Sequence, residues 1–172
     1  DFGVWAGWVF PQDSTLALVM NPDQSVEEAV RQLARVGLDQ IAGVAIWPQD
    51  AEAATTSFRT VGVEEFAAAV VAGVQVLDAR APDEWDRGIV AGSTLAYAPD
   101  VVAEIPADLD PDRAVWVACA SGYRASMAAS FLERQGIEPV VLTPGGINGV
   151  LKTLANQGVT GWGTHPSNGG GD

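Results

Sequence analysis

The stretch Val115-Trp-Val-Ala-Cys-Ala-Ser-Gly-Tyr-Arg124 decides the fold. Val115 to Ala118 is an unbroken apolar run with no polar alternation, which is how a strand reads when helices cover both faces of its sheet. Cys119 ends the run. Ala120-Ser-Gly-Tyr123 then makes a short glycine-containing turn, and Arg124 to Gln135 has the spacing of a helix that stops before Gly136, a residue suited to a left-handed cap. A buried strand that turns directly into a helix belongs to an open parallel α/β sheet. Its turn lies at the carboxyl edge of the strands, where such sheets bind ligands.

Elements of the same kind surround this stretch. Val63 to Val71 reads as a helix, Val74 to Leu77 as a strand ending at Asp78, Pro82 to Arg87 as a short helix with proline in its first turn, and Val101 to Ile105 as another short helix. Val140 to Thr143 continues the sheet, and Ile147 to Ala155 closes the set with a helix. Apolar strands alternating with helices define the class as α/β, a three-layer arrangement with a central parallel sheet.

The chain also repeats itself. Thr15-Leu-Ala-Leu-Val-Met20 lies over Ala114-Val-Trp-Val-Ala-Cys119 at an offset of 99 positions, and Glu28 to Leu38 lies over Met127 to Ile137 at the same offset. Each copy reads as buried strand, loop, helix, glycine (Gly37 or Gly136) and strand, the last being Ile41 to Ile46 in the first copy. Residues 1–47 therefore read as a partial, degenerate second copy of the fold, its second half only. Residues 48–57 are polar and alanine-rich without periodicity, a linker, and residues 58–157 hold the complete domain. Residues 158–172, rich in glycine, read as a flexible tail; His165 within it makes no metal site, and no metal or cofactor is expected elsewhere. Half a domain leaves an open strand edge, a physical reason to expect a homo-oligomer or a lost segment, and Trp5, Trp8 and Phe10 suit such packing. The opening at Asp1 has neither the basic start nor the apolar run of a signal peptide, so the chain reads as cut from something longer.

Composition narrows the function. Of 172 residues 48% are hydrophobic and 18% charged, enough to bury one ordinary core and part of another. Twenty-two acidic against nine basic side chains give a net charge of −13, which repels nucleic acid and anionic membrane surfaces. Any small anionic substrate must then be held by local donors. The most apolar stretch, Phe66 to Ala79, is interrupted by Gln75 and Asp78 and is shorter than the roughly 20 residues of a membrane span. One cysteine makes no intramolecular disulfide, and a thiol that must stay reduced points to the cytoplasm.

That cysteine is the candidate nucleophile. The turn from Cys119 to Arg124 can wrap main-chain N–H groups of Ala120, Ser121, Gly122 and Tyr123 around the sulfur, and the helix N-terminus adds partial positive charge on the same side. Converging donors and the guanidinium of Arg124 favour the thiolate and would equally hold a persulfide anion. Arg124 is also placed to hold an oxyanion of a substrate such as thiosulfate.

Cys119-Ala-Ser-Gly-Tyr-Arg124 followed by Ala128-Ala-Ser-Phe-Leu132 resembles the Cys-x-x-Gly-x-Arg active loop and helix of rhodanese-like sulfurtransferases. Val76-Leu-Asp-Ala-Arg80 with Asp83-Glu-Trp85 resembles that family's Asp-x-Arg strand end and Glu-aromatic pair, and Pro144-Gly-Gly-Ile147 resembles its closing glycine motif. The resemblance covers about 100 residues in order. It implies a parallel five-stranded sheet, a catalytic Cys119, and Asp78 and Arg80 as braces of the loop. Where the family often shows Gly-His-Ile-Pro-Gly, this chain reads Gly88-Ile-Val-Ala-Gly92. Phe2-Gly-Val-Trp-Ala-Gly-Trp8 with Leu16-Ala-Leu-Val19 resembles the inert first repeat of proteins that join a metallo-β-lactamase-fold hydrolase to tandem rhodanese domains. Met20 stands there in the cysteine's place, and a thioether cannot ionise.

The expected function is transfer of sulfane sulfur, carried as a Cys119 persulfide from a small anionic donor such as thiosulfate to a thiol or cyanide acceptor. The alternative is a binding or regulatory module without turnover, attached to a metallo-β-lactamase-fold hydrolase. A phosphatase or arsenate reductase is disfavoured: loops that enclose a tetrahedral anion carry five residues between cysteine and arginine, and Ala120 to Tyr123 supplies four. Trp85 and Tyr123 are candidates for the walls that select the donor.

Overall fold

The computed structural model describes residues 2–47 and 57–159, with the backbone of 162–163. All of the expected linker but Ser57 lies outside the described residues, as does His165. The chain divides into two units, Asp1–Thr56 and Ser57–Asp172.

In the first unit, α1 (Phe2–Val9) precedes β1 (Leu16–Met20), α2 (Val26–Ala34) and β2 (Ile41–Ile46), and the two strands pair in parallel. Ser25 caps α2: its hydroxyl accepts the Glu28 N–H at 3.2 Å, and Glu27 and Glu28 occupy the first turn, where the helix dipole favours negative charge. Leu16, Leu18 and Met20 pack with Ala6, Leu33 and Leu38. Ala17 and Val19 point the other way and are exposed, Val19 to 62%. The strand expected to be buried on both faces is thus covered on one, because among the described residues of this unit both helices lie on that side. The pairing also departs from the second unit. Val117 lies opposite Val141 there, whereas Leu18 lies opposite Val44, two positions beyond the residue the offset of 99 predicts; one of the two steps is a bulge that leaves Ala42 unpaired.

The second unit contains β3 (Arg59–Val61), α3 (Val63–Val71), β4 (Gln75–Asp78), α4 (Pro82–Trp85), β5 (Ile89–Val90), β6 (Thr94–Leu95), α5 (Ala98–Ala103), β7 (Val115–Ala118), α6 (Tyr123–Arg134), β8 (Pro139–Leu142), α7 (Ile147–Asn156) and β9 (Trp162–Gly163). Five strands form one parallel sheet in the order β3-β8-β7-β4-β6. Every residue of β7 and β8 is buried, since alternate side chains enter different cores. Val115, Val117 and Cys119 join Leu77, Val101 and Leu132 on one face, while Trp116 and Ala118 join Phe66, Leu142 and Ile147 on the other. The three-layer α/β architecture expected from the sequence is the one observed.

Several element ends shift by one or two residues, and three differences are larger or have a clear physical cause. Helix α5 begins at Ala98 rather than Val101, because Pro99, with its preset φ, sits in the first turn. The tail expected to be flexible includes β9, which pairs antiparallel with β5. Helix α4 ends at Trp85 instead of Arg87, and a buried guanidinium accounts for it. Arg80, 1% exposed, donates to both carboxylate oxygens of Asp78 at 2.7 to 3.1 Å, and also to the main-chain carbonyls of Glu84 at 3.1 Å and Gly88 at 2.7 Å. Gly88, at φ 115°, then turns the chain away.

Removing one partner of such a pair strands the other in the core. Arg80→Ala is expected to lower unfolding stability by about 3–5 kcal/mol, read as a fall in the urea midpoint.

Candidate active site

Strand β7 delivers Cys119 to the carboxyl edge of the sheet, and two glycines let the chain close around it. The Gly122 N–H donates to the Cys119 Sγ at 3.1 Å. That contact needs Gly122 at φ +96°, a conformation that L side chains rarely adopt, and a Cβ there would meet the Thr143 Oγ1 at 2.8 Å. From the other side, the Pro144-Gly-Gly146 segment presses on the loop. A Cβ on Gly146 would stand 1.9 Å from the Ala120 carbonyl oxygen, so only glycine permits this approach. The Ile147 N–H at the start of α7 donates to the Cys119 carbonyl at 2.9 Å, and the Ser126 N–H and hydroxyl donate to the Gly122 carbonyl at 2.8 and 3.0 Å.

Arg124 has a partner that the sequence reading did not assign. Its two terminal nitrogens donate to the two carboxylate oxygens of Glu84 on α4, at 2.5 and 3.0 Å, with both side chains mostly buried. Glu84 in turn accepts the Ala81 N–H at 3.0 Å. The hydrogen-bonded guanidinium holds the Glu84 carboxyl below the usual glutamate range, against the opposing effect of burial. The Arg124 guanidinium is pushed above its ordinary range, first by that carboxylate and to a smaller extent by the charges of Cys119 and Tyr97, against its own desolvation. Arg124, expected to hold a substrate oxyanion, also ties the loop to α4. Asp78 and Arg80 anchor the same helix through the Glu84 carbonyl. The Glu in Asp83-Glu-Trp85 was visible as a motif residue, but its role depends on an approach across 40 positions of sequence.

Cys119 itself is 0% exposed and belongs to an apolar cluster with Leu77, Ala79 and Ala125. The sequence suggested a ring of main-chain donors at the mouth of the turn. The described hydrogen bonds give Sγ one N–H, with Ala120, Ser121 and Tyr123 exposed and the sulfur beneath them. Tyr123, 65% exposed, can meet a donor at the surface, whereas Trp85 is buried and forms no outer wall.

Two outcomes follow. Gly146→Ala should break the closure and speed iodoacetamide labelling of Cys119 several-fold, measured by peptide mass spectrometry. Because the folded Glu84 titrates below its unfolded value, the stabilisation by the Arg124 tie is present at neutral pH and is lost only as pH falls through that lowered value. Carboxyl NMR of Glu84 should therefore give a midpoint below the ordinary glutamate value of about 4.3, and Arg124→Ala should return it toward that value.

Comparison with known proteins agrees with this geometry. A model of the rhodanese-like domain family matches residues 63–153. No curated protein matches the chain. Among solved structures it is similar to a rhodanese-like domain protein from Staphylococcus aureus, at 21% identity and a TM-score of 0.48, covering 54% of this chain and 91% of that one. A rhodanese-related protein from Thermoplasma volcanium matches at 26% identity and a TM-score of 0.47, over 56% and 93% of the two chains. Reduced CoADR-RHD from Bacillus anthracis matches at 24% identity and a TM-score of 0.50, over 58% of this chain and 17% of that one, a likeness of fold. Over half its length this chain carries the family's signature, and it belongs to the rhodanese-like domain family.

Proposed function

We propose that Cys119 accepts sulfane sulfur as a persulfide and passes it to a thiol or cyanide acceptor. The observation that carries this reading is the Gly122 N–H on Sγ at the N-terminus of the twelve-residue α6, since a main-chain donor and a helix N-terminus favour an anionic sulfur. The Cys119 thiolate attacks the outer sulfur of a donor such as thiosulfate. A bond forms between Sγ and that sulfur, and the donor's own sulfur–sulfur bond breaks with its electron pair leaving on sulfite or a thiolate. Attack by the acceptor on the terminal sulfur then regenerates the Cys119 thiolate. In this proposal Ala120, Ser121, Gly122 and Tyr123 line the reacting sulfur, and Arg124, Asp78 and Arg80 hold the loop in place. Full burial of Cys119 requires the loop to open before a donor can enter.

That same burial favours a second reading, a rhodanese-like module that takes up sulfur slowly or not at all and serves an attached protein. The metallo-β-lactamase-fold hydrolase implied by the N-terminal resemblance would be such a neighbour. No helix among the described residues is long and apolar enough to cross a membrane.

Incubation with thiosulfate or a thiol persulfide, followed by intact-mass analysis, should add one sulfur to the wild-type chain and none to Cys119→Ser. Repeated turnover with excess cyanide supports the enzyme. One loading without further turnover supports the module, and equal loading of Cys119→Ser removes both roles from this residue.

A further inference from the structure

We propose that Glu84 selects the sulfur donor: by neutralising the one cation of the active loop, it makes the site favour persulfides of uncharged or zwitterionic thiols over thiosulfate. The inference rests on Cys119 being the sulfur acceptor and names the donor class for that site.

The loop brings no charge of its own beyond Arg124, since Ala120, Ser121, Gly122 and Tyr123 are uncharged. Both terminal nitrogens of Arg124 are engaged by both oxygens of one carboxylate. Glu84 is itself held in place, because it also accepts the N–H of Ala81 ahead of its own helix. Any anion that approaches Arg124 therefore meets a guanidinium whose charge a fixed carboxylate already compensates. Arg80, the next cation along the chain from the sheet edge, is fully committed to Asp78 and two main-chain carbonyls. Arg87, two residues beyond α4, lies beside Asp86 in sequence and close after Asp83.

The chemistry of the donor makes this balance matter. Attack of the Cys119 thiolate on thiosulfate brings a dianion against an anion, and sulfite leaves with two negative charges. Attack on R–S–SH forms the Sγ–S bond, breaks the donor's S–S bond with its electron pair leaving on R–S⁻, and leaves the proton on the transferred sulfur, so no more than one further charge enters or leaves. One main-chain donor and a helix N-terminus can stabilise a single anionic sulfur. The three charges of the thiosulfate encounter would need a free guanidinium, and here its charge is already compensated. The pair is mostly buried, so added ions screen it less than an exposed pair.

The test measures the rate at which the full chain gains one sulfur on Cys119 from thiosulfate and from cysteine persulfide, each normalised to that donor's reaction with free cysteine. Wild type should load from the persulfide at least about fivefold faster on this scale, and Glu84→Gln, which keeps an acceptor but removes the charge, should shrink that ratio by about fivefold. A ratio within one sample is independent of the folded fraction, and a purely structural role for Glu84 would slow both donors alike. If the variant does not fold, the wild-type ratio decides by itself, since the proposal requires faster normalised loading from the persulfide there. Equal or faster normalised loading from thiosulfate in wild type overturns the proposal, as does an unchanged ratio in a folded Glu84→Gln. Loading from neither donor overturns the sulfur-transfer reading itself, and this inference with it.

Discussion

A guanidinium that is almost wholly excluded from water must have its donors satisfied, and Arg80 meets that demand in a way that organises everything around the loop. Its partners are the Asp78 carboxylate at the end of β4 and the carbonyls of Glu84 and Gly88. Those bonds end α4 after one turn and fix where Glu84 stands. Glu84 then captures Arg124, and Arg124 fixes the start of α6, from which the Cys119 loop hangs. A buried charge at one strand end is therefore coupled to the position of a thiol on the next strand, through side chains that are each satisfied.

The cost of this order falls on access. Gly122 turns its N–H onto the sulfur, Gly146 brings a second segment against the Ala120 carbonyl, and Ile147 holds the Cys119 carbonyl. A sulfur so enclosed is protected from adventitious oxidation, and it meets a reagent only when the loop opens. The tie between Arg124 and Glu84 crosses from α6 to α4, so it is the contact that an opening of this loop must either carry along or break.

The first unit shows what the same strand-helix-strand pattern becomes when, among the described residues, helices cover one face. Leu16, Leu18 and Met20 find a core, while Val19, Val44 and Ile46 remain 62%, 41% and 51% exposed. In the second unit the corresponding strand has helices on both faces and is buried at every position. The two strands have similar apolar sequences, so their different burial comes from the layers available to each and not from their residues.

How much could be read from residues alone follows from the range of the interactions. Apolar runs, the glycine stops and the Cys119 turn are local signals, governed by backbone sterics and by which faces must leave water, and they determined the α/β class, the limits of α3 and β2 and the position of Cys119 at a strand end. Other features were set by partners far away in sequence. The α4 boundary depends on Arg80 taking two carbonyls, β9 depends on β5 as a partner, and the register of β2 depends on a bulge that no local propensity announces. Arg124 is the clearest case. Its place after a glycine in a cysteine loop was legible as a cation near sulfur, but whether that charge is free for a substrate was decided by tertiary structure, because the carboxylate that occupies it comes from another helix and only the fold brings the two together.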